Sequence, residues 1–111
     1  DGRYIWFNGE RDGAVNLWRV RVDGSGLEQM SDGDTVDWFP HPSPCGQHVV
    51  FLEYPSGTIG HPAGLDVALA IMPAEGGKRR QLTRLFGGQG TLNVPSWSPD
   101  GAQFAFMRYV V

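Results

Sequence analysis

Few residues in this sequence have side chains and spacings that could do chemistry. His41 and His61 carry imidazoles, which ligate metals and exchange protons near neutral pH. Each stands alone in sequence, and a lone histidine more often serves as a structural hydrogen-bond partner. The run Gly87-Gly88-Gln89-Gly90 could let a ligand approach the backbone and offer amide donors to an anion. Its plain alternative is a tightly folded connection. The run lacks the lysine and the strand–helix setting of a phosphate loop, which argues against nucleotide binding. Asp32, Asp34 and Asp37 alternate as at the start of a calcium loop, but the downstream glutamate is missing. Solvated turn acids are the better reading. Trp6, Trp18, Trp38 and Trp97 could each stack on a sugar ring. No Gly-x-Ser-x-Gly nucleophile elbow occurs.

The chain that must position these residues has 111 residues, with sixteen glycines, eight prolines and thirteen aromatics. Glycine and proline together reach about twice their average usage, which disfavours a helical bundle. The aromatics and a 41% hydrophobic content give it a core to bury, so disorder is excluded. A net charge of −3 argues against nucleic acid as a partner. The basic cluster Lys78-Arg79-Arg80, with Arg84 nearby, reads as a solvated edge. Val67 to Met72, the longest apolar run, is too short for membrane insertion. Cys45 is the only cysteine, which leaves the compartment open.

Internal repetition is the main signal. Asp1-Gly2-Arg3-Tyr4-Ile5-Trp6-Phe7 recurs as Cys45-Gly46-Gln47-His48-Val49-Val50-Phe51 and as Asp100-Gly101-Ala102-Gln103-Phe104-Ala105-Phe106. The spacing is 44 residues from Asp1 to Cys45 and 55 from Cys45 to Asp100. Pro44 and Pro99 precede the later copies, so each begins with a tight turn in which Pro presets φ and Gly takes a positive φ. Alternating apolar residues after each turn predict a half-buried strand. In the middle unit this predicts strands over about 38–43, 47–53, 66–73 and 79–84. Leu65 to Met72 could be read as helix, but the matched Trp18-Arg19-Val20-Arg21-Val22 alternates with period two. Strand is the better assignment. Most of the tryptophans fall at equivalent places and read as packing. Trp38 is the exception, since its counterpart is Asn93.

Four short strands per repeat fit propeller blades. Ser98-Pro99-Asp100-Gly101 with Phe104-Ala105-Phe106 and the upstream Pro95-Ser96-Trp97 resembles the TolB-type propeller repeat. Trp38-Phe39-Pro40-His41, Gly60-His61-Pro62 and Leu85-Phe86-Gly87-Gly88-Gln89-Gly90-Thr91 resemble the C-terminal part of bacterial TolB-like propellers, usually six-bladed. Cys45 departs from the motif, which has Asp there. The expected fold is therefore all-β, a partial β-propeller of about two and a quarter four-stranded antiparallel blades. Residues 1–37 form an incomplete blade, 38–92 a complete one and 93–111 a second incomplete one. The remaining blades are expected from a longer chain or, as the alternative, from homo-oligomerisation.

In such a blade, the connection after the second strand and that after the fourth emerge on one side. Both insertions of the middle unit, Tyr54 to Gly64 and Phe86 to Val94, should thus build one loop face. The function read from this is a binding or scaffold module for a protein, peptide or glycan. Its candidate contacts are Asp37, Trp38, His41, His61, Gly87, Gly88, Gln89 and Asn93. No cofactor is expected. The alternative is a metal-assisted polysaccharide lyase or hydrolase, with a divalent metal at His41 and His61. That alternative draws on oligogalacturonate lyases, which resemble TolB-type propellers and where His and Gln ligands would bring in Gln89. A noncatalytic propeller attached to a peptidase is a further alternative. The resemblance implies a periplasmic setting.

Overall fold

The computed structural model describes residues 2–110, so Asp1 of the first repeat and Val111 lie outside it. It contains seven β-strands, and no helix occurs among the described residues. Strand β1 (Tyr4–Arg11) pairs antiparallel with β2 (Ala14–Arg21), which pairs with the short β3 (Glu28–Gln29). A second sheet runs in the order β4 (Val36–Pro42), β5 (His48–Tyr54), β6 (Ala63–Pro73) and β7 (Arg80–Gly88). The chain is all-β, a partial propeller-like array in which the middle unit is a four-stranded antiparallel meander. The four strands anticipated in that unit are present, and Leu65 to Met72 is extended, not helical.

Turn chemistry explains the meander. Asp12 and Gly13 both take positive φ (54° and 80°), which matches the twist of a two-residue hairpin between β1 and β2. At the Pro-containing turns, Gly46 N donates to Ser43 O at 2.8 Å and Gly101 N to Ser98 O at 2.9 Å. The strands leaving each turn close on it in the same way, with Ser43 N to His48 O and Ser98 N to Gln103 O both at 2.7 Å. Asp100 adds a side-chain bond from Ala102 N at 3.0 Å. Cys45 at the matching position puts a weaker sulfur partner there, 3.4 Å from the Ser43 hydroxyl and bonded to the Gln47 backbone. The turn forms without the aspartate because proline and glycine already fix its backbone.

Strand β5 shows how the core is built. Its side chains alternate, sending Val50, Leu52 and Tyr54 to one cluster and Val49 and Phe51 to another. The second cluster joins the two sheets through Leu17, with Trp6 and Met30 packed beside it. The first packs Val36, Val67 and Leu69 against Trp38, Phe39, Trp97 and Phe104. Both faces of the middle sheet are thus covered, which explains why Val49 to Leu52 reads as an unbroken apolar run. Residues 93–110 are less regular than expected. Instead of two strands they form an isolated bridge, Trp97 opposite Phe104. A ribbon of two strands with no third beside it sustains little ladder.

A buried ionic clamp ties the sheets together. Asp37 is fully buried, and Arg79 grips it through two bonds of 2.9 Å. Arg79 also donates to Glu53 at 2.9 Å, Thr35 Oγ1 at 2.8 Å and the Asp32 carbonyl at 2.8 Å. Ser31 Oγ donates to Asp37 at 2.7 Å and accepts the β2 amide of Leu17 at 2.9 Å. Burial works against the guanidinium's charge, but hydrogen bonds to Asp37 and Glu53 outweigh it and hold its pKa above the ordinary value. The basic cluster is therefore not a uniformly solvated edge. Lys78 and Arg80 are exposed while Arg79 turns inward, because two buried carboxylates require a cation. Arg79→Leu leaves Asp37 buried without its countercharge and should cost about 3 kcal/mol. Urea denaturation measures this, and a loss below about 1 kcal/mol contradicts the clamp.

Candidate functional site

The two long connections meet on one side of the middle sheet, as strand direction requires. Gln89 N donates to Pro62 O at 3.1 Å, and Tyr54 Oη donates to the same carbonyl at 3.1 Å. Burial, then the neighbouring Tyr109, raises the Tyr54 pKa to about 12, so its hydroxyl stays protonated and able to donate. His61 Nδ1 and Gln89 Oε1 are hydrogen-bonded across the two loops. Where the carboxamide oxygen faces the ring, Nδ1 carries the proton and Nε2 is left as an acceptor.

The His61 ring stands edge-on to two aromatic rings. Its centroid is 4.5 Å from that of Trp38 and 5.2 Å from that of Phe39. Both aromatics come from a bulge in β4, where the register shifts between Trp38 and His41. Phe39 has a φ of +60°, a left-handed conformation costly for a bulky side chain. Asn8 on β1 braces this bulge by donating to Asp37 O at 3.2 Å and accepting from Phe39 N at 3.4 Å. Trp38, Phe39 and His61 are half-buried and Gln89 is exposed, so the group forms an aromatic platform with a carboxamide at its rim. Phe39 was not among the residues singled out from sequence. Its neighbours Trp38 and Pro40 mark the segment, but only the bulge reveals that consecutive aromatics share a face.

The other anticipated contacts have internal roles. Asp37 sits in the clamp with its carboxylate engaged. The glycine-rich loop spends its amides on itself, with Gly88 N donating to Thr91 Oγ1 at 3.0 Å and Gly90 N to Asn93 Oδ1 at 2.9 Å. With Gln89 N also taken, these amides do not form an open anion cradle. Asn93 is thus the loop's own cap. The Tyr109 hydroxyl closes the loop further by donating to the Gln89 carbonyl. A Cβ on Gly88 would lie 2.1 Å from Pro62 O, and its φ of +122° is unsuited to any L side chain. The glycine serves close loop packing. Gly87 is similar, since a Cβ there would meet Thr91 Oγ1 at 2.3 Å. Gly88→Ala should therefore separate the two loops and destabilise the protein by about 3 kcal/mol. Thermal denaturation together with the loss of Tyr109 packing in near-ultraviolet circular dichroism checks this, and an unchanged melting curve contradicts it.

His41 lies inside, with Nε2 2.6 Å from the Leu92 carbonyl, while its own carbonyl accepts Trp97 Nε1 at 2.9 Å. It bridges the loop and the third unit. His41 and His61 do not share a liganding group, and among the described residues no three His, Cys, Asp or Glu side chains gather in a way that could hold a metal. Asp32 and Asp34 are exposed on the turn while Asp37 points into the clamp, so the three acids diverge. Burial lowers the His41 pKa below 6.5, although the Leu92 carbonyl opposes the shift. The neutral form is favoured in the folded state. Its contribution to stability is complete above pH 6.5 and is lost as pH falls through the lower folded value. Urea midpoints across that range should fall with acidity. His41→Gln keeps an N–H for Leu92 and should flatten this component, and an equal slope in the variant contradicts the assignment.

The fold is an all-β, partial propeller-like array whose long loops meet on one side of the middle sheet. No family model matches the chain. The solved structure of a protein provisionally identified as TolB, from Agrobacterium tumefaciens, superposes with a TM-score of 0.97 at 52% identity. It matches 100% of this chain, which corresponds to 40% of that protein. The uncharacterized protein Atu1656 of Agrobacterium fabrum is 53% identical over 109 residues, covering 98% of this chain. The chain spans 37% of that relative's length.

Proposed function

We propose that the chain is a TolB-like binding or scaffold module that engages a protein, peptide or glycan through its loop face. The observation that carries this reading is the platform of Trp38, Phe39 and His61, rimmed by Gln89 where the two long loops meet. Aromatic rings supply apolar contact area at low entropic cost, and a carboxamide supplies directional donors and acceptors. The network behind the platform, from Tyr54 through Pro62 and Gln89 to Tyr109, keeps it preorganised. The likeness to TolB supports the scaffold part of the reading. In it the module works within a longer propeller in the cell envelope, the remaining blades coming from the same chain.

Binding of chito-oligosaccharides and of a panel of short peptides, followed by tryptophan fluorescence, tests the proposal. At least one class should bind, and His61→Ala or Gln89→Ala should weaken it about tenfold. Equal affinity in both variants counts against the platform. Turnover of an oligosaccharide that depends on added Mn²⁺ or Zn²⁺ overturns the scaffold reading in favour of an enzyme.

A further inference from the structure

A second feature of the loop face lies beside the platform, with Gly60 on its wall and His61 of the platform next in the chain. The β1–β2 hairpin, the loop before β4 and the loop after β5 enclose a groove of about 280 Å³. It forms where the two sheets meet, because each contributes the connections from the same end of its strands. Glu10 and Asp34 line it, and no lysine or arginine does. Arg79 bonds to Thr35, one of the lining residues, but is paired with Asp37 and Glu53. Arg11 on the hairpin is turned toward the Trp18 ring, 5.8 Å away. The field in the groove is therefore negative.

Two further observations define the shape of an occupant. Ile59 on the groove wall is 92% exposed and offers a solvent-facing aliphatic surface there. Gly13, Gly33, Gly57 and Gly60 also line the groove, and a Cβ built on any of them meets no atom within 4 Å. The space beside each of these α-carbons is open. A chain lying in it can approach the main-chain amides and carbonyls closely, which a bulky ring system gains less from.

We propose that this groove binds an extended, cationic peptide segment of a partner protein. A lysine or arginine of the peptide pairs with Glu10 and Asp34, an adjacent apolar side chain packs on Ile59, and the peptide backbone hydrogen-bonds along the glycines. The assignment rests on the proposed function only in using the loop face; groove and platform are separate sites with separate variants.

Fluorescence anisotropy with two labelled peptides tests this, one alternating leucine with lysine and one alternating leucine with glutamate. The lysine peptide should bind at least about tenfold more tightly, and its affinity should fall with added salt. Glu10→Gln combined with Asp34→Asn should remove that preference, and Ile59→Ser should weaken binding about fivefold or more. All three positions are exposed, and circular dichroism verifies that the variants fold. His61→Ala should leave lysine-peptide binding intact, which separates this site from the platform. Equal binding of both peptides, no binding of the lysine peptide, or insensitivity to the Glu10 and Asp34 changes overturns the proposal. Chito-oligosaccharide competing for the groove, read as loss of lysine-peptide anisotropy that persists in His61→Ala, overturns it as well.

Discussion

The carboxylate of Asp37 is the constraint on which the rest of this structure depends. It is wholly removed from water and sits at the start of β4, where the chain passes from the first sheet to the second. A charge in that position is tolerated only when it is paired and fully hydrogen-bonded. Arg79 supplies the countercharge from the far side of the same sheet, between β6 and β7. Ser31, Thr35 and Asn16 supply the remaining donors, at 2.7, 2.7 and 3.4 Å. Two side chains distant in sequence, Asn16 and Arg79, therefore converge with two local hydroxyls on one anion. Arg79 also lies 5.1 Å from the Phe51 ring, so the ionic clamp and the apolar core meet on β5.

From this clamp follows the geometry of the loop face. Asp37 fixes the start of β4, and Asn8 braces the next two residues, so the bulge that turns Trp38 and Phe39 together is held at both ends. The strained backbone of Phe39 is sustained by these contacts and by the rings packed around His61. On the opposite flank, His41 and the glycine-rich loop draw Leu92 and Trp97 against β4. The platform and the groove are thus two products of one arrangement. Both form where the connections from one end of the strands come together.

The two histidines named as ligands of a divalent metal illustrate how neighbouring contacts assign a side chain its role. His41 and His61 are of the right type, and Gln89 does meet His61 as a partner. His41, however, faces a backbone carbonyl in the interior, where burial favours its neutral form and occupies its donor. The same holds for the glycine-rich loop. A run able to cradle an anion is equally able to fold on itself, and here Thr91 and Asn93 complete that folding. Residue type limits what a site could do, but the contacts made by its neighbours decide whether it is free to do it.

The sequence by itself determined the strands of the middle sheet, the turns and the side on which the long loops emerge. Those features follow from local rules: alternation with period two, proline and glycine at fixed turn positions, and the reversal of direction at each hairpin. It also carried the repeat that made the middle sheet legible as one four-stranded unit. Tertiary structure alone decided that Arg79, and neither of its basic neighbours, turns inward, and that Phe39 joins Trp38 on one face. It decided too that the hairpin, the acidic turn and the Ile59 loop enclose a groove. These outcomes depend on which groups meet across distances of tens of residues, where charge burial and packing select among conformations that local sequence leaves equally open.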